Sequence, residues 1–210
     1  MKDGNKRNKV RIKFCGMRSL QDIETANNIG CDYVGFVFAK KSKRYINEET
    51  AAELKKALNP EIKAVGVFVD EEPQIVARLL NTGVIDIAQL HGREEEDDIG
   101  ELRKLTGNKP VIKAFRITSK EDVKAANKST ADLVLVDAGA GEGKTFDWSL
   151  LSEMKRPYLL AGGLSPENVG DAIQRIHPYG VDVSSGIETG GVKDPEKMRA
   201  FAENVRAFQE

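Results

Sequence analysis

Two consecutive strand-like runs late in the chain stop in turns of glycine and serine: YLLAGGLSPENV over Tyr158–Val169 and VDVSSGIE over Val181–Glu188. Such turns free backbone N–H groups to converge on one point, and a helix starting just beyond one adds a dipole that favours an anion. The chemistry they suggest is phosphate binding at Gly162, Gly163, Ser185 and Gly186. The alternative is a pair of ligand-free strand-to-helix turns. Two in succession, with Ser184 and Ser185 beside Gly186, favour the phosphate.

Three further residues suggest a reaction and not binding alone. Cys15 ends the apolar run RIKFC and precedes Gly16, where its thiol can act as nucleophile or base. Either role needs the thiolate, which Lys13, on the same strand face, would favour. A small buried core residue is the alternative for Cys15. Asp137 ends LVLVD. At the tip of a strand apolar on both faces, a carboxyl is partly desolvated and suited to general acid catalysis; otherwise it caps the following turn. Arg44, in the basic segment AKKSKRYI with Lys40, Lys41 and Lys43, has the planar guanidinium to grip a carboxylate in two places. Asp182 lies inside its strand and reads as an anchor for a basic neighbour. Gln89 and His91 remain open between hydrogen-bonding fixtures and catalytic groups.

The elements that must position these groups follow from the pattern of apolar runs. Eight of them recur, at RIKFCG, DYVGFVF, AVGVFV, IAQLHG, VIKAFRI, LVLVD, YLLAGG and VDVSSG. Between them lie amphipathic, charged stretches at 47–58, 72–80, 94–105, 120–126, 166–176 and 194–208. Continuous apolar strands alternating with helices indicate a parallel sheet covered on its outer side. The spacing predicts a single α/β domain, a (βα)8 TIM barrel over 10–210, with residues 1–9 a short disordered lead-in. Ser165-Pro166 and Asp194-Pro195 read as helix caps followed by proline at the first helical position. An open doubly wound sheet would carry a GxGxxG after its first strand, and KFCGMRS does not. In a barrel of this kind the strand C-terminal ends ring one mouth. Cys15, Arg44, His91, Asp137, Gly162–Gly163 and Ser184–Gly186 should therefore meet there.

Composition excludes several function classes. The 210 residues carry 32 Lys+Arg against 33 Asp+Glu, a balance that gives no sign of nucleic-acid binding. No apolar run approaches the roughly 18–20 residues that cross a bilayer, and MKDGNKRNKV lacks the apolar core of a secretory signal. Two cysteines, Cys15 and Cys31, are too few for a disulfide framework, which points to the cytoplasm. His91 and His177 are too far apart in the chain to suggest zinc.

In order and in register, KFCGMRS, DYVGFVFAKKSKRYI, VGVFVDEEP, QLHG, LVLVD, GKTFDW, AGGLSPENV and VDVSSGIET resemble the phosphoribosylanthranilate isomerases of tryptophan biosynthesis, from Val10 to Phe208. The resemblance implies an Amadori rearrangement of N-(5-phosphoribosyl)anthranilate to 1-(2-carboxyphenylamino)-1-deoxyribulose 5-phosphate, without metal or cofactor. It implies a small phosphosugar as the partner and a monomer or homodimer. By position it makes Cys15 the general base, Asp137 the general acid and Arg44 the contact for the anthranilate carboxylate. Gly162, Gly163, Ser185 and Gly186 fall on the phosphate turns, with His91 and Asp182 among the substrate-binding groups. One departure is AGEG at 140–143, where the family's usual hydroxyl residue is replaced by Glu142; that carboxylate is expected to face solvent. Two rival functions are the related aminoaldose isomerase of histidine biosynthesis and a binding protein that kept the pocket without the reaction. The first has an aspartate at the position of Cys15 and a second phosphate signature, absent from VGVFVD and QLHG. The second does not need both Cys15 and Asp137.

Overall fold

Eight parallel strands pair in chain order and the last returns to the first, so the sheet closes without an edge. The computed structural model describes residues 9–137 and 148–208. The lead-in expected over 1–9, apart from Lys9, and the loop carrying Glu142 lie outside the described residues.

The first half runs β1 (Arg11–Cys15), α1 (Leu20–Ile29), β2 (Tyr33–Val37), α2 (Glu48–Ala57), β3 (Lys63–Phe68), α3 (Pro73–Asn81) and β4 (Ile87–Leu90). It continues through α4 (Glu96–Thr106), β5 (Val111–Arg116), α5 (Lys120–Lys128) and β6 (Leu133–Asp137). A 3-10 helix at Trp148–Glu153, not an α-helix, then leads into β7 (Tyr158–Ala161). The remainder is α6 (Val169–Ile176), β8 (Gly180–Val183), a single 3-10 turn at Ser185–Ile187, and α7 (Pro195–Ala207). A small antiparallel hairpin, β9 (Glu188–Thr189) and β10 (Val192–Lys193), sits between that turn and α7.

Side chains alternate across each strand, which explains why these strands read as unbroken apolar runs. Phe14, Val34, Phe36 and Phe68 point outward into the layer between barrel and helices, where Phe14 meets Phe201 of α7 edge-on at 6.2 Å. Val65, Ile112, Leu135 and Leu159 point inward and plug the barrel. The plug makes the barrel a platform whose mouth is the place left for chemistry.

Most of the helices start where side chains satisfy their free N–H groups. Ser19 with Asp22 and Ser119 with Asp122 form reciprocal capping boxes on α1 and α5, and Asp194 caps α7 ahead of Pro195. The cap expected at Ser165-Pro166 is displaced: α6 begins at Val169 after a turn. Asn168 explains it. Its Oδ1 accepts from Ser165 N at 2.8 Å and its Nδ2 donates to Gly163 O at 2.9 Å, folding the segment back on the β7 turn before the helix starts. Among the described residues, no helix is long and apolar enough to cross a membrane.

Candidate active site

A cavity of about 340 Å3 opens at the C-terminal ends of the strands, lined by Cys15, Arg44, Gln89, His91, Asp137 and Asp182 among others. Gly162, Gly163, Ser184 and Ser185 form one wall. A second hollow of about 440 Å3 lies at the opposite end, against Val10, Pro157, Tyr179 and Phe208, away from every candidate side chain. The mouth, though smaller, is where the convergent polar groups lie.

Cys15 is buried at the end of β1. Gly35, its neighbour across β2, gives the thiol room: a methyl group there would come within 2.8 Å of Cys15 Sγ and 3.1 Å of its Cα. Two residues back on the same face, Lys13 is fully buried with its Nζ 2.7 Å from Asp182 Oδ1. The Asp182 carboxylate therefore serves as the counter-ion of a buried ammonium. Burial pushes the Cys15 thiol up, and the positive charges of Lys13 and Lys193 act against that rise without cancelling it. The resting group is a thiol with two cations waiting to stabilise its thiolate.

Asp137 emerges from β6 into the mouth with about 32 % of its side chain exposed. His91, at the end of β4, brings Nε2 to 3.6 Å from Asp137 Oδ2, and its Nδ1 lies 2.8 Å from Gln89 Nε2. With the amide donating to Nδ1, the ring proton sits on Nε2, facing Asp137. Gln89 Oε1 is buried at the cavity wall and has no hydrogen-bond partner. It is an acceptor available to a hydroxyl in the cavity.

The two glycine turns meet. Gly162 and Gly163 take φ of 96° and 64°, which few side-chain-bearing residues adopt. A methyl at Gly186 would fall 1.9 Å from Leu164 O, so the β8 turn packs directly on the β7 turn. Ser184 Oγ donates to Cys15 O at 3.0 Å and joins this wall to β1. Lys40, Lys41 and Lys43 are exposed on the β2 loop, whereas Arg44, alone among the basic residues of that segment, lines the cavity beside Ala39 and Ser42.

Arg44 is already engaged. Its Nε and Nη2 donate to Glu188 Oε1 and Oε2 at 2.6 and 2.7 Å, and Lys193 Nζ donates to the same Oε1 at 2.7 Å. Burial alone would raise the Glu188 carboxyl, but hydrogen bonds and charge from Arg44 and Lys193 hold it at about 2. Neither Glu188 nor Lys193 stands out in the sequence, because their partners lie far from them or across a two-residue hairpin. Among the described residues, no group of three or more His, Cys, Asp or Glu could hold a metal ion. The mouth thus combines a thiol, a carboxyl, a wall of glycine and serine turns and a guanidinium, an arrangement suited to moving protons on an anionic substrate.

Comparison with known proteins gives the family. The family model described as N-(5'phosphoribosyl)anthranilate (PRA) isomerase matches residues 12–204. The N-(5'-phosphoribosyl)anthranilate isomerase of Thermoanaerobacter sp. (strain X514) is 44% identical over 207 residues, covering 95% of this chain and all of that one. The crystal structure of phosphoribosyl anthranilate isomerase from Thermotoga maritima superimposes with a TM-score of 0.84 at 38% identity, covering 94% of this chain and 99% of that one. A second such structure, solved in complex with reduced 1-(o-carboxyphenylamino)-1-deoxyribulose 5-phosphate, has a TM-score of 0.81 at 37% identity over 94% of this chain and 99% of that one.

Proposed function

The chain belongs to the N-(5'-phosphoribosyl)anthranilate isomerase family and is an isomerase of tryptophan biosynthesis; on that premise we propose that Cys15 and Asp137 divide its acid–base work. The reaction is the Amadori rearrangement of N-(5-phosphoribosyl)anthranilate to 1-(2-carboxyphenylamino)-1-deoxyribulose 5-phosphate. The observation that carries the proposal is the facing of a buried thiol backed by Lys13 and a carboxyl backed by His91 across one cavity.

The phosphate lies against the joined turns of Gly162, Gly163, Ser185 and Gly186, and the anthranilate carboxylate lies against Arg44. Anchored at both ends, the ribose spans the cavity between Cys15 and Asp137. Asp137, protonated, gives its proton to the ring oxygen as the nitrogen lone pair expels it, and the ring opens to a protonated Schiff base. The Cys15 thiolate then takes the proton from C2. The electron pair of that C–H bond neutralises the iminium, leaving an enolamine. Tautomerisation adds a proton at C1 and removes one from the C2 hydroxyl, which completes the ketone with no net gain or loss of atoms. Lys13 favours the thiolate, and His91 with its ring proton on Nε2 orients Asp137 and stabilises it once it has become a carboxylate. Gln89 Oε1 accepts from a substrate hydroxyl. The same proposal has the enzyme working in the cytoplasm.

The test is Asp137→Asn, which keeps shape and removes the proton. The loss of substrate anthranilate fluorescence should slow by about 10²–10⁴ in kcat with KM within a few-fold. An unimpaired kcat would reject Asp137 as the acid.

A further inference from the structure

The β9–β10 hairpin is not among the residues that line the cavity, yet its Glu188, itself bonded by Lys193, holds the guanidinium of Arg44, which does line it. Building on Arg44 as the carboxylate contact, we propose that Glu188 is a positioning residue that confers preference for a substrate whose aryl ring bears a carboxylate.

The geometry leaves Arg44 little freedom. Glu188 takes the Nε–H and one Nη2–H in a two-point pair at 2.6 and 2.7 Å. The stem of Arg44 lies against Gly16, where a methyl group would approach Arg44 Cδ to 2.5 Å. Glu188 is fixed in turn by Lys193, whose Nζ donates to Glu188 Oε1 at 2.7 Å and to Ser184 O at 2.8 Å. The side chains of Glu188 and Lys193 are 8% and 1% exposed, so water does not compete for these contacts. Among the described residues, Nη1 of Arg44 has no partner, and with the second Nη2–H it forms the other edge of the fork. That edge has the spacing of a carboxylate.

Two consequences follow for binding. The first is orientation: a guanidinium held on one edge presents the other without first losing rotamer freedom, so affinity for a planar carboxylate rises. The second is charge. Arg44 and Lys193 are two cations sharing one Glu188 carboxylate, which leaves a single positive charge to be matched by a single carboxylate. Without Glu188, Arg44 is a mobile cation in a cavity whose substrate also carries a phosphate, and nothing directs it to the ring.

The experiment compares the natural substrate with the same phosphoribosylamine lacking the ring carboxylate, following both by chromatographic product formation. Wild type, Arg44→Gln, Glu188→Gln and Glu188→Asp are assayed after thermal melting shows each is folded. Glu188→Gln should lower the ratio of kcat/KM between the two substrates by about tenfold, through KM and not kcat, and Glu188→Asp should recover part of it. A Glu188→Gln enzyme that loses on both substrates alike, or loses only kcat, overturns the proposal. Arg44→Gln separates the two layers of argument. If it collapses the ratio while Glu188→Gln leaves it intact, the role of Glu188 is wrong and the Arg44 contact stands. If Arg44→Gln leaves the ratio intact, the carboxylate contact itself is wrong, and the proposal falls with it.

Discussion

Replacing Gly35 by alanine should disable the enzyme from inside a strand, with no substitution at any residue proposed to touch substrate. The added methyl would lie 2.8 Å from Cys15 Sγ and 3.1 Å from Cys15 Cα, whereas ordinary contacts begin at 3.4 Å. The thiol must therefore retreat, by 0.6 Å to restore an ordinary contact, and because the Cα is crowded too, rotation about χ1 alone does not relieve the clash. A displacement approaching 1 Å at a reacting group lowers the rate by about 10²-fold. Overpacking of this kind also costs about 1–3 kcal/mol of stability. Gly66→Ala separates the two effects. Its methyl would meet Ile85 Cδ1 at 2.6 Å and the Phe68 ring at 2.8 Å, in the outer layer and not on the cavity wall. Both variants should melt at lower temperature, but only Gly35→Ala should lose kcat in the fluorescence assay. If Gly35→Ala retained kcat within a few-fold of wild type, the claim that this glycine sets the position of the reacting thiol would be refuted.

Lys13→Met removes the cation that most favours the Cys15 thiolate, so the thiol should titrate higher and the rising limb of the kcat/KM–pH profile should move to higher pH. It also leaves Asp182 buried without its counter-ion, and a loss of about 3–5 kcal/mol in denaturant melts is expected. A limb that stays in place would detach Lys13 from Cys15. Gly186→Ala drives a methyl to 1.9 Å from Leu164 O and must push the two turns apart. The KM for substrate should rise at least about tenfold, and competitive inhibition by inorganic phosphate should weaken in parallel; phosphate inhibition at wild-type strength would argue against a phosphate site there.

The barrel was legible because its physics is local. Strands covered on both faces need uninterrupted apolar residues, so runs such as AVGVFV and LVLVD announce themselves. The rule that strand ends share a mouth then brings Cys15, His91 and Asp137 together from three distant segments. Glu188 was not legible, since its pairing with Arg44 spans 144 residues and no spacing rule connects them. Neither was the start of α6, because Asn168 competes with Ser165-Pro166 through hydrogen bonds to the preceding turn. The role of Gly35 was recoverable in principle. A glycine inside the strand DYVGFV signals close approach by a neighbour, and here the neighbour is the thiol.

The division of labour across the cavity rests on Cys15 more than on any other residue. The most direct measurement is the turnover of Cys15→Ala on N-(5-phosphoribosyl)anthranilate, in protein whose melting temperature matches wild type. With the proposed base removed and the proposed Arg44 and phosphate contacts left in place, kcat should fall by about 10²–10⁴ while KM changes little. A variant that turns over within a few-fold of wild type would mean that another group takes the C2 proton.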